Sequence, residues 1–148
     1  MSTQERADIL LVEDDANDAE LALRAFRKSK LDHRVEHVRD GAEALEYIEA
    51  IGLRADKYAS KLPKLILLDL RLPKMGGLQL LRELKANART KLIPIVAFTS
   101  SKLAIEMVES YGLGVNSYVI KPGDGDRFAE VVTAICNYWV NINEMPEA

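Results

Sequence analysis

Five short apolar runs recur along the chain, and each is followed by a stretch with helical spacing. The runs are Ile9–Val12, Val35–Val38, Leu65–Leu68, Pro94–Phe98 and Ser117–Ile120. Runs of four or five residues are too short for buried helices and suit strands covered on both faces. The intervening stretches carry apolar residues every three or four positions. Examples are Leu21, Ala22, Ala25 and Phe26, then Leu78, Leu81 and Leu84, then Phe128, Val131, Val132, Ile135 and Trp139. Residues 41–51 place Ala44, Leu45, Ile48 and Ile51 on one side, with Glu43, Glu46 and Glu49 outside. A short fourth helix takes Ile105 and Val108. Pro94 stands at the first residue of its strand, where a missing donor is tolerated. Five alternations of strand and helix predict an α/β fold, a doubly wound five-stranded parallel sheet with helices on both faces.

The 148 residues fit one domain with its core at about 8–141. The last helix is predicted to end near Asn141, which leaves no room for an output domain. The one long connection, Gly52 to Lys64, is either flexible or an extension of the second helix. A net charge of −3 gives no general attraction to nucleic acid or to anionic lipid. No apolar run approaches the roughly 18 residues of a membrane span, the first residues lack an export signal, and a single cysteine, Cys136, cannot form an internal disulfide. A cytoplasmic location is therefore expected.

In open parallel sheets the functional site lies beyond the carboxyl ends of the strands. Here those ends carry Glu13, Asp14 and Asp15, then Asp69, then Thr99, Ser100 and Ser101, then Lys121. Any one of these alone reads as a helix cap, a solvated loop residue or a surface charge. All four ends carrying matched chemistry is a different matter. Converging carboxylates repel unless a cation joins them, and an oxygen-only set with no His or Cys points to Mg²⁺. With Lys121 as a second positive charge, Asp69 on the central strand can act as a nucleophile toward a phosphoryl group. Thr99 or Ser100 would hydrogen-bond one of its oxygens.

These residues resemble the receiver domains of two-component response regulators, over roughly Asp8 to Trp139. The motifs are Ile-Leu-Leu-Val-Glu13-Asp14, Leu-Ile-Leu-Leu-Asp69-Leu-Arg71-Leu-Pro73-Lys-Met-Gly-Gly77, Ile-Val-Ala-Phe-Thr99-Ser-Ser and Tyr118-Val-Ile-Lys121-Pro122. The resemblance implies a flavodoxin-like (βα)5 fold with strand order 2-1-3-4-5. It makes Asp69 the phosphoacceptor, and Glu13 and Asp14 the acidic pair that holds Mg²⁺ with Asp69 and the backbone carbonyl of Arg71. It makes Thr99 the switch hydroxyl, Lys121 the phosphate-binding lysine and Tyr118 the aromatic that reorients. It also implies a cis Lys121–Pro122 bond. Gly76 and Gly123 stand where the family often has Asp and Phe, and the segment before the third strand is longer than usual. That insertion, with Tyr138-Trp139 and the Pro146 tail, resembles the stand-alone regulators paired with bacterial phytochromes.

The implied protein is not an enzyme in its own right but assists its own phosphorylation and dephosphorylation. A sensor histidine kinase, of the phytochrome light-sensing type, would donate the phosphoryl group, and the face made by the fourth helix, fifth strand and fifth helix would change. Arg71 and Ser101 lie beside the path of the hydrolytic water and are expected to set the phosphoryl lifetime. Ile135, Tyr138, Trp139 and Ile142 carry the apolar stripe almost to the terminus. Either Trp139 packs back onto the domain or the stripe forms a homodimer seam, where aromatics are enriched; the dimer is the expectation. A flavodoxin is disfavoured because the acidic loop at Glu13 would repel a flavin phosphate. A dinucleotide-binding fold lacks its glycine fingerprint. An aspartyl phosphatase would carry an acid two residues after Asp69, where Arg71 stands. A phosphorylation-independent scaffold or dimerisation module is the remaining rival, and it would be expected to lack one of the acidic residues, Thr99 or Lys121. His33 and His37 have no metal-ligand company and read as surface or strand-end residues.

Overall fold

The computed structural model describes residues 7–31, 34–54, 62–72 and 75–146. Pro73, His33 and most of the long connection, residues 55–61, lie outside them. The elements alternate as the apolar runs require: β1 (Ile9–Val12), α1 (Ala16–Lys28), β2 (Val35–Val38), α2 (Gly41–Arg54), β3 (Leu65–Leu68), α3 (Gly77–Ala86), β4 (Ile95–Thr99), α4 (Ala104–Leu113), β5 (Ser117–Ile120) and α5 (Gly125–Cys136). A turn of π-helix, Asn137–Ile142, continues α5. All strand pairs are parallel, and the order is β2-β1-β3-β4-β5. Among the described residues no helix is long and apolar enough to cross a membrane.

The apolar runs are continuous because each strand feeds two cores. Side chains alternate across a strand, so Leu10, Val12, Ile66, Leu68, Ile95 and Ala97 face α2 and α3, packing with Ala44, Ile48, Leu80, Leu81 and Leu84. Ile9, Leu11, Leu65, Leu67, Val96 and Phe98 face α1 and α5, packing with Ala22, Phe26, Phe128, Val132 and Cys136. Phe98 and Phe128 meet edge to face with centroids 5.0 Å apart. β1, β3 and β4 are buried along their whole length, while β5 is half-buried throughout, as an edge strand should be. Each fully buried Leu or Ile contributes about 1.5–3 kcal/mol.

The bounds of two elements refine the sequence reading. β4 begins one residue later and takes in Thr99, because Pro94 contributes only its carbonyl, which accepts from Ile66 N at 2.9 Å. α2 runs on to Arg54. The turn after β3 is closed by glycine. A Cβ at Gly77 would stand 2.5 Å from Leu70 Cα and 2.6 Å from the carbonyl oxygen of Asp69, so only the bare backbone lets α3 start this close to the end of β3. The C-terminal stripe divides. Val140 is buried and Trp139 packs against the α1–α5 core, whereas Tyr138 and Ile142 remain exposed.

Candidate functional site

The strand ladder extends into the site residues themselves. Glu13 N donates to Val38 O at 3.0 Å, Asp69 N to Val12 O at 3.0 Å and Lys121 N to Thr99 O at 2.8 Å. The backbones of these residues are thus fixed by the sheet, and their side chains converge at its carboxyl edge. Glu13, Asp69 and Thr99 are buried and Asp14 is exposed. Glu13, Asp14 and Asp69 each bring a carboxylate oxygen to within 4.8 Å of the others.

Lys121 occupies the centre of the charge. Its Nζ lies 2.8 Å from Glu13 Oε1, 2.7 Å from Asp18 Oδ2 and 2.9 Å from Asp69 Oδ2, and its side chain is almost fully enclosed. Burial alone would lower the Lys121 pKa, but hydrogen bonds to Asp18 and Glu13 and the charges of Glu13 and Asp69 outweigh it and raise the value above 10.5. Glu13 is raised too, which for a carboxyl favours the neutral form. Burial, with the charge of Asp69, pushes it up to about 8 despite the opposing pull of Lys121. One ammonium against this many carboxylates leaves the cluster short of positive charge. The oxygen-only donors, with Asp14 open to solvent, fit a hard divalent cation.

The remaining candidates are placed around this cluster. Arg71 N donates to Asp69 Oδ1 at 3.1 Å, which sets the Arg71 peptide beside the Asp69 carboxylate. The Arg71 guanidinium points away, 3.9 Å from Glu106 on α4. Thr99 Oγ1 accepts from Ser101 N at 3.3 Å, and Tyr118 Oη donates to Ser101 O at 3.0 Å. The switch pair named from the sequence therefore meets on one short segment, residues 99–101. No peptide bond among the described residues is cis, so Lys121–Pro122 is trans, where the resemblance implied cis. Lys121 is already anchored through its N–H and its three carboxylate contacts, and the trans isomer carries the lower intrinsic cost.

Sequence reasoning missed two participants. Asp18 reads as one of several polar residues opening a helix. The cap is Asp15, whose Oδ1 accepts from Asp18 N at 2.9 Å, while the Asp18 carboxylate reaches Lys121 Nζ at 2.7 Å. His37 reads as a strand-end residue, yet its Nε2 lies 2.8 Å from the backbone carbonyl of Glu13. Neither contact has a local signal, since Asp18 and Lys121 are 103 positions apart.

Residues 9–133 match the response regulator receiver domain family. The chain belongs to this family. It is 38% identical over 138 residues to the probable methanogenesis regulatory protein FilR2 of Methanothrix harundinacea, covering 93% of this chain and 86% of that one. It is 36% identical over 140 residues to the response regulator Rcp1 of Synechocystis, covering 95% of this chain and 93% of that one. The crystal structure of the phosphorylated cyanobacterial phytochrome response regulator RcpA superimposes with a TM-score of 0.82 at 35% identity, covering 96% of this chain and 99% of that one. A Mn²⁺-bound crystal structure of Rcp1 gives a TM-score of 0.78 at 35% identity, covering 93% of this chain and 97% of that one. The receiver is thus related to stand-alone phytochrome response regulators, and its sheet order is that of the flavodoxin-like receiver fold.

Proposed function

We propose that this receiver accepts a phosphoryl group on Asp69 from a sensor histidine kinase of the phytochrome type and passes the signal on through its α4–β5–α5 face. The observation that carries this reading is the contact of Lys121 Nζ with Asp69 Oδ2 at 2.9 Å, inside a carboxylate cluster spaced for a cation. Relatedness to RcpA and Rcp1 supports the phytochrome pairing. A carboxylate oxygen of Asp69 attacks phosphorus in line, the P–N bond of the donor phosphohistidine breaks, and the imidazole nitrogen keeps the electron pair. Mg²⁺ held by Glu13, Asp14, Asp69 and the Arg71 carbonyl would offset charge on the transferred oxygens. Lys121 and Thr99 receive those oxygens. Thr99 and Tyr118 share the Ser101 segment, so a pull on Thr99 is felt at Tyr118 and hence at the α4–β5 surface. Ile105 and Val108 on α4 are each about 70% exposed, which suits a surface that docks a protein. Arg71, two residues after Asp69, and Ser101, two residues after Thr99, would set the phosphoryl lifetime.

The output is another protein rather than nucleic acid, the setting is the cytoplasm, and a second copy pairs through the exposed Tyr138 and Ile142 of the C-terminal helix. Intact mass after incubation with acetyl phosphate and Mg²⁺ tests the reading: the wild type gains one phosphoryl group and Asp69→Asn gains none. A wild type that stays unmodified by this donor and by a phosphorylated histidine kinase leaves the phosphorylation-independent scaffold.

A further inference from the structure

The ammonium of Lys121 has three N–H donors; it hydrogen-bonds to Asp18 and Asp69 and pairs with Glu13 at 2.8 Å, so carboxylates claim it on every contact. A phosphoryl oxygen can gain one of these donors only at the expense of a carboxylate. Glu13 and Asp69 belong to the cation-spaced cluster and Asp18 does not. Asp18 makes the shortest of the three contacts, 2.7 Å, and is the most exposed of the three partners, with 29% of its side chain accessible against 4% for Glu13 and 8% for Asp69. It is mounted rigidly, on the first turn of α1, with its own N–H held by the Asp15 cap. Its position next to Lys121 is not needed to place the ammonium, because Glu13 and Asp69 already hold it from two sides. What Asp18 alone adds is a third claim on the ammonium and a negative charge beside the point where phosphoryl oxygens must settle.

We infer that Asp18 is a positioning residue that competes with the incoming phosphoryl group for Lys121, so that the Asp18–Lys121 pair must open before Asp69 can be stably phosphorylated. The inference rests on the phosphoacceptor reading above and deepens it. With acetyl phosphate as donor, an Asp69 oxygen forms the new O–P bond, the P–O bond to acetate breaks, and acetate leaves with the electron pair. Over that step one N–H of Lys121 passes from Asp18 to a phosphoryl oxygen. The freed Asp18 carboxylate is then left to solvent, which its partial exposure allows.

The test is the initial rate of phosphorylation at limiting acetyl phosphate and saturating Mg²⁺, followed by intact mass on the full chain. Asp18→Asn and Asp18→Ser, both compatible with the first turn of a helix, are expected to react roughly three- to tenfold faster than wild type, the scale of one partly screened ion pair. Calorimetric affinity for Mg²⁺ alone should stay equal or weaken, because a negative charge has been removed. A merely structural role would move both quantities in the unfavourable direction. Asp15→Asn removes a neighbouring charge without touching Lys121 and keeps the helix cap; it should stay within about twofold of wild type. Asp18 variants that react at the wild-type rate or slower overturn the inference, as does an equal acceleration by Asp15→Asn. A wild type that takes up no phosphoryl group overturns instead the reading on which it rests.

Discussion

Two lysines are held at opposite ends of the sheet, and they are held differently. Lys121, at the carboxyl edge, contacts three carboxylates at 2.7–2.9 Å. Lys85, at the end of α3, contacts three neutral oxygens: Lys91 O at 3.2 Å, Ile93 O at 3.3 Å and Asn116 Oδ1 at 3.3 Å. Asn116 Oδ1 also accepts from Ile95 N, so this second cluster closes the start of β4 and the approach to β5. Both ammonium groups lose water. Only Lys121 gains counter-charge, and its pKa rises, whereas burial lowers that of Lys85. Neutral oxygens satisfy a lysine and fasten two elements together. Carboxylates gathered in excess around a lysine make a site that stays electrically unfinished, which is a poor way to stabilise a fold and a good way to bind a cation.

The largest expected effect that would break this contrast is at Lys121. Lys121→Met should slow phosphorylation of Asp69 by acetyl phosphate by roughly two orders of magnitude or more, the range seen when one oxyanion-stabilising donor is lost. In EDTA the variant should lose about 3 kcal/mol in urea unfolding, since it leaves buried carboxylates uncompensated, and Mg²⁺ should restore part of that loss. A variant that phosphorylates normally would make Lys121 as structural as Lys85. Lys85→Met should do the reverse. Its phosphorylation rate is expected to match wild type, while unfolding shows a loss of about 1–2 kcal/mol for the freed carbonyls.

A smaller effect separates the two by sign. Lys85 has a folded pKa below its ordinary value of 10.5, so the folded state disfavours its charged form and that cost is relieved as pH rises toward 10.5. The stability gap between wild type and Lys85→Met should therefore widen between pH 8 and 10.5. Lys121 has a folded pKa above 10.5, so its contribution is complete below 10.5 and is lost only as pH climbs through the folded value. Lys121 also holds down the Glu13 carboxyl, so the comparison is made in a Glu13→Gln background, where the gap for Lys121→Met should stay flat over the same interval. Parallel curves for the two variants would erase the comparison. The smallest effect concerns Cys136, which is fully buried, with its thiol pushed up to about 12 by burial. Iodoacetamide at pH 8 should label it only after unfolding, as followed by mass.

The sheet was legible in the sequence because burial on both faces writes itself into consecutive residues: four of the five runs match their strands, and Pro94–Phe98 is off by one residue for want of an N–H at Pro94. The strand-end residues were legible for the same reason, since a parallel sheet delivers the residue after every strand to one edge. Glu13, Asp14, Asp69, Thr99 and Lys121 followed from that rule. Asp18 did not, because a helix opening rich in acids is ordinary and only the fold brings Lys121 against one of them. The fate of the C-terminal stripe was also hidden. Ile135, Tyr138, Trp139 and Ile142 look alike as a pattern, and only the α5 packing separates Trp139, set against the core, from Tyr138 and Ile142, left in water.

The sequence alone determined which residues reach the carboxyl edge and with what chemistry, because strand periodicity and short connections leave few other topologies. Tertiary structure decided how one ammonium is shared among Glu13, Asp18 and Asp69, and how Thr99 and Tyr118 come to meet at Ser101. These are through-space contacts between distant segments, fixed by side-chain direction and by competition for a limited number of donors, and no periodicity in the chain encodes either one.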